Sequence, residues 1–180
     1  YADFEHGFSA PRLGGVANLQ TGDKVIDLQA AHYREIDDEH GYGFRNRYAE
    51  DGTPLRLSDY AQPEGTTYSE ASGSLLQPLS GGTMRAAARA QDARMFADIE
   101  SDIYFPASEH VVGAERERTR TLEGEFGYER LLAGGNQVDL LAIHRAERLR
   151  ATESSTDSAG SELDSNDSDA TETIVRGVYH

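Results

Sequence analysis

The chain has 180 residues, 32 Asp plus Glu against 17 Lys plus Arg, a formal net charge of −15 and no cysteine. That composition excludes a disulfide framework, a thiolate nucleophile and a cysteine zinc cluster, and the lack of a basic stripe argues against direct nucleic-acid binding. No run approaches the roughly 18 apolar residues that would suggest a membrane-spanning helix, and Tyr1-Ala2-Asp3-Phe4-Glu5-His6 does not read as a secretory signal, so no transmembrane segment is expected.

Lys24 is the single lysine, which leaves arginine to carry the rest of the positive charge. At molar salt the Debye length falls to about 3 Å, so carboxylate self-repulsion is screened while arginine still pairs bidentately with carboxylates. The asymmetry predicts a protein adapted to high salt, with salt cations at its surface.

In chain order, residues 1–20 lack periodicity and carry Pro11 and Gly14-Gly15, which predicts an extended N-terminal arm. A β-rich domain is expected over 21–150. Val25 to Ile36 and Val138 to Leu149 fit either helical spacing or strands; both are assigned as strands, and two helices there would make the fold α+β instead. Tyr42, Phe44, Asn46 and Tyr48 alternate with Gly43, Arg45 and Arg47 as a strand does. Glu50-Asp51-Gly52 reads as a turn and the run through Leu55 and Leu57 as its hairpin partner. Residues 66–82 are turn-rich. Met95, Ala97, Ile99 and Ile103 share one parity and Asp98, Glu100 and Asp102 the other, a half-buried strand ending at Pro106.

Glu115-Arg116-Glu117-Arg118-Thr119-Arg120 alternates in sign, placing acids on one face of a strand and arginines on the other. Such a strand either pairs with complementary charges on a neighbour or serves as a solvated edge. Residues 151–173 are acidic and Ser-rich and are expected as a flexible loop or linker. Ile174 to His180 returns to β-branched and aromatic residues, a C-terminal strand more readily added to its own sheet than to a neighbour's.

No nucleophile elbow, phosphate loop or zinc-protease pair is present, and the paired glycines read as turns. No enzyme activity and no cofactor are expected. The one cluster with ligand potential is His32, Asp37, Asp38, Glu39 and His40, whose imidazoles and carboxylates could hold a divalent cation but read more readily as a solvated acidic turn. His6, His110, His144 and His180 are scattered.

The strand rhythm of residues 21–150 and 174–180, the terminal arm, the charge alternation and the acidic composition resemble capsid proteins of haloarchaeal icosahedral viruses with an internal membrane. The resemblance implies a mainly β fold, a single jelly roll with extended terminal segments. It also implies assembly with other capsid subunits into the shell of a virion beside an internal membrane. Alternatives are a decoration or tail protein of a haloarchaeal tailed virus, and a halophilic ligand-binding or enzymatic β-barrel with a central pocket.

Overall fold

The computed structural model describes residues 2–3, 8–37 and 41–180, and every regular element in them is a β-strand. A short ladder joins β1 (Ala2–Asp3) and β2 (Phe8–Ser9). The remaining strands form one antiparallel sheet. They are β3 (Arg12–Thr21), β4 (Lys24–Asp37), β5 (Tyr42–Phe44), β6 (Arg47–Tyr48), β7 (Pro54–Ala61), β8 (Glu64–Leu79), β9 (Gly82–Phe105), β10 (Glu109–Leu131), β11 (Gln137–Asp157) and β12 (Gly160–Tyr179).

Several of these pieces lie end to end. β7 and β8 both run antiparallel to β9, with Ala61 opposite Glu100 and Glu64 opposite Ala97, so they continue one line across Gln62-Pro63. β4 pairs with β8, and β5 and β6 pair with β7. The path β3, β4–β6, β7–β8, β9, β10, β11, β12 is therefore an up-and-down meander in which each strand lies beside its neighbour in sequence. One end of the sheet carries the turns at residues 22–23, 80–81 and 132–136. Ser80 and Gly81 take φ of 51° and 76°, the left-handed pair that a two-residue hairpin requires. The opposite end carries the turns at 49–53, 106–108 and 158–159, the last closed by Asp157 Oδ1 accepting from the N–H of Ala159 and of Gly160.

The expected strands at Val25–Ile36 and Val138–Leu149 lie within β4 and β11, the hairpin around Glu50-Asp51-Gly52 joins β6 to β7, and Met95–Ile103 lies within β9. Four expectations differ from what is observed. The stretch 66–82, expected to be turn-rich, is the continuous strand β8 up to Leu79. A jelly roll needs two face-to-face sheets with long crossovers, whereas the described residues place one large sheet with sequential neighbours. Residues 12–20 of the expected arm are most of β3. Residues 151–173 lie mainly in β11 and β12, because the acids of β12 stand against arginines of β11: Arg148 Nε is 3.3 Å from Asp169 and Arg150 Nε 3.6 Å from Asp167. Ile174–Tyr179 is the end of β12 and pairs with β11 in its own chain.

A single layer leaves little to bury. The buried apolar side chains among the described residues are Ala97 and Ile103, beside buried Ser58 and Ser101, at the end of β9 that meets β7. The exposed surface is 12,356 Å², against about 8,600 Å² for a compact folded monomer of this mass. Many large apolar side chains of the sheet thus stand exposed, among them Leu13, Val16, Leu28, Leu122 and Val175.

Candidate functional site: an apolar band and its charged border

The register sorts the two faces of the sheet. One face collects the odd residues of β3, the even residues of β4, the odd residues of β8, the even residues of β9, β10 and β11, and the odd residues of β12. Near the turns at 22–23, 80–81 and 132–136, this face is predominantly apolar, interrupted by His144, Thr171 and Thr173. One row reads Leu19, Ile26, Leu75, Ala86, Phe126, Ala142, Val175; the row two residues further reads Ala17, Leu28, Gly73, Ala88, Gly124, His144, Thr173; the next reads Gly15, Ala30, Ala71, Ala90, Leu122, Ala146, Thr171. No acidic side chain stands on this face between Gly82 and Ala90 of β9 or at the levels paired with them. Its large members are open: Leu28 is 48% exposed, Leu122 56% and Val175 77%.

The band runs over residues 82–90 of β9, nine residues, about 30 Å at strand rise. Lys24, Tyr128, Arg130 and Tyr179 rim its turn end. At the other end it stops within one step, where the next row carries Asp92, Arg120, Arg148 and Asp169, followed by Arg94, Arg118, Arg150 and Asp167. The opposite face at the level of the band mixes charged and polar side chains such as Asp27, Arg85, Arg89, Glu123 and Glu125 with apolar ones such as Leu76, Leu141, Ile143 and Ile174. A hollow of about 230 Å³ is lined by Asp27, Gln29, Arg89 and Glu123 together with Val16 and Ala87, among others.

The charged border is knitted across strands. Asp92 receives both arms of Arg118, with Nε to Oδ1 at 2.9 Å, and Arg120 Nε lies 3.6 Å from Asp92 Oδ2. The Arg118 hydrogen bond is the main cause holding the Asp92 carboxyl well below the usual range. Arg116 pairs with Asp98. The alternating stretch 115–120 is thus an interior strand whose arginines meet aspartates of β9 within the chain, and the solvated-edge alternative does not apply to β10, which is paired on both sides.

Of the anticipated cation cluster, His32 stands on β4 with Nδ1 2.9 Å from Ser69 Oγ, and Asp37 ends that strand. Asp38, Glu39 and His40 lie outside the described residues, as does His6. His144 meets Thr173 Oγ1 at 2.8 Å, and His180 Nε2 lies 3.7 Å from Asp139. A different cluster forms beyond the band, where His110 of β10 stands opposite Asp102 of β9 with Glu100 diagonal to it. His110 Nδ1 is 2.7 Å from Asp102 and Nε2 is 4.0 Å from Glu100, and one ligand atom from each of the three falls within 4.8 Å of the others. One imidazole with two carboxylates is a donor set that can hold a divalent cation. In sequence the signal was present in the parity shared by Glu100 and Asp102; the facing histidine needed the hairpin register.

The hydrogen bond to Asp102, then the charges of Asp102 and Glu100, raise the His110 pKa above its ordinary 6.5. A raised folded-state value means that protonation stabilises the fold below about pH 6.5, and that the contribution is lost as pH rises through the raised value. A histidine proton titration followed by NMR is expected to place His110 above 6.5, with Asp102→Asn bringing it back down. A His110 midpoint at or below 6.5 in the unmodified chain contradicts the pairing.

No family model matches the chain, and no curated protein matches it. Among solved structures the chain is similar to the ferric yersiniabactin uptake receptor FyuA from Yersinia pestis, with a TM-score of 0.58 and 12% identity. The match covers 93% of this chain and 24% of that one, so the chain spans about a quarter of the receptor's length. At that identity the likeness concerns the fold.

Proposed function

We propose that the chain forms part of the wall of a β-barrel that spans an outer membrane, with the apolar band against lipid and the opposite face toward the lumen. The observation that carries this is the band itself. A transmembrane strand needs about 9–11 residues with alternate side chains facing lipid, and seven neighbouring strands supply that stretch at one level. Strands of 20 to 24 residues, as in β9 to β12, then continue well beyond the membrane. A meander is also the connectivity of such barrels, and closure by further strands removes the open edges at β3 and β12. The fold likeness to part of an uptake receptor extends the proposal to a receptor or transport barrel. That no helix is long and apolar enough to cross a membrane leaves this untouched, since barrels cross with strands.

The experiment is contact with lipid, residue by residue. Single tryptophans placed along residues 82–90 of β9 are expected to be quenched by brominated acyl chains at even positions and spared at odd ones.

A second reading is a capsid subunit of a halophilic icosahedral virus. The acidic composition with a single lysine favours it, and assembly into closed lattices only at high salt would support it over a barrel wall.

A further inference from the structure

We infer that the arginine rows bordering the apolar band bind the phosphate of anionic lipid headgroups; this rests on the barrel-wall reading and adds a lipid chemistry to it. The placement comes from the register. Arg120 and Arg148 occupy the first row past the band and Arg118 and Arg150 the second, on the same face as the apolar residues. A lipid whose acyl chain runs along β10 past Phe126, Gly124 and Leu122 therefore brings its headgroup to these guanidinium groups. A depression of about 680 Å³ straddles that boundary, lined on the band side by residues such as Ala90 and Leu122 and on the charged side by Arg120 and Arg148 together with the carboxylates of Asp92 and Asp169. It has room for the junction of an acyl chain with a headgroup.

Donor capacity points the same way. Arg148 and Arg150 lie 3.3 and 3.6 Å from Asp169 and Asp167, measured at Nε, and Arg120 Nε lies 3.6 Å from Asp92. None of the three makes the two-point hydrogen-bonded pair that Arg118 makes with Asp92, and a guanidinium fork matches a phosphate in two-point geometry. The aspartates hold the arginines in a row and temper their charge. Anionic lipid then binds by replacing part of the Asp contact, and basic residues at a membrane surface each contribute on the order of 1 kcal/mol, about fivefold in affinity.

The test uses the full chain with vesicles of phosphatidylcholine alone and of phosphatidylcholine with phosphatidylglycerol. Binding is read by flotation and integration by protection from protease. Phosphatidylglycerol is expected to raise the partition coefficient, and the double variant Arg148→Gln/Arg150→Gln to remove about 25-fold of that gain. Asp167→Asn/Asp169→Asn is expected to increase it, a change of opposite sign that misfolding does not produce. Integration that is indifferent to phosphatidylglycerol overturns the headgroup site and leaves the barrel wall standing. Failure to integrate into either vesicle overturns both. Abolition of the phosphatidylglycerol gain by millimolar inorganic phosphate, at constant ionic strength, assigns the row to free phosphate and overturns the lipid assignment.

Discussion

Val175→Arg is expected to destabilise the bilayer-embedded chain by about 2–4 kcal/mol, the cost of a cation facing lipid near the middle of the membrane. Ile174→Arg, one residue earlier, is expected to cost far less. Both side chains are exposed, Val175 at 77% and Ile174 at 45%, so neither substitution meets a packed core, and in water the two would be near equals. They differ in face. Val175 belongs to the row with Phe126 and Ala142, and Ile174 stands opposite Ile143 on the other face with Arg176 and Glu172. Chemical denaturation from vesicles measures the pair. Equal costs would place the membrane elsewhere or nowhere.

The second large effect concerns water. Removed from detergent and lipid, the chain is expected to lose cooperative unfolding, because a sheet whose fully buried apolar side chains among the described residues are Ala97 and Ile103 has little core to set against a backbone entropy on the order of 1–2 kcal/mol per residue. Detergent micelles, by covering the band, are expected to restore a β-type circular dichroism spectrum and a sigmoidal denaturation curve. Molar salt without detergent screens the −15 charge but covers no apolar surface, so it is expected not to substitute for micelles. A cooperative transition in salt alone would favour the halophilic capsid reading over the barrel wall.

Much of the strand content was legible in the residues. Period-two alternation over Met95–Ile103 and sign alternation over Glu115–Arg120 both named a strand and its faces. The band was not, because its alternate positions are small: Gly73, Ala86, Ala88, Ala90 and Gly124 carry little hydropathy on any single strand. The apolar surface emerges only when seven strands are aligned and Leu28, Leu122 and Phe126 come to one level. The stretch 151–173 misled for a related reason. Its Ser and Asp residues cannot order alone, but Asp167 and Asp169 find Arg150 and Arg148 on β11, a pairing that depends on a hairpin of more than forty residues. The cluster of Glu100, Asp102 and His110 was likewise hidden in register, while the anticipated one around His32 was drawn from closeness in sequence.

One face of the sheet is expected to touch lipid over about nine residues per strand, and the other face not to. The chain contains no tryptophan, so single tryptophans at Ala86, Ala87, Ala88, Arg89 and Ala90, with Arg94 as the outer reference, report each position without background in vesicles of brominated lipid. Strong quenching at 86, 88 and 90, weak quenching at 87 and 89, and none from mid-chain bromines at 94 is the expected result. Uniform quenching, or none at any position, would contradict the barrel wall.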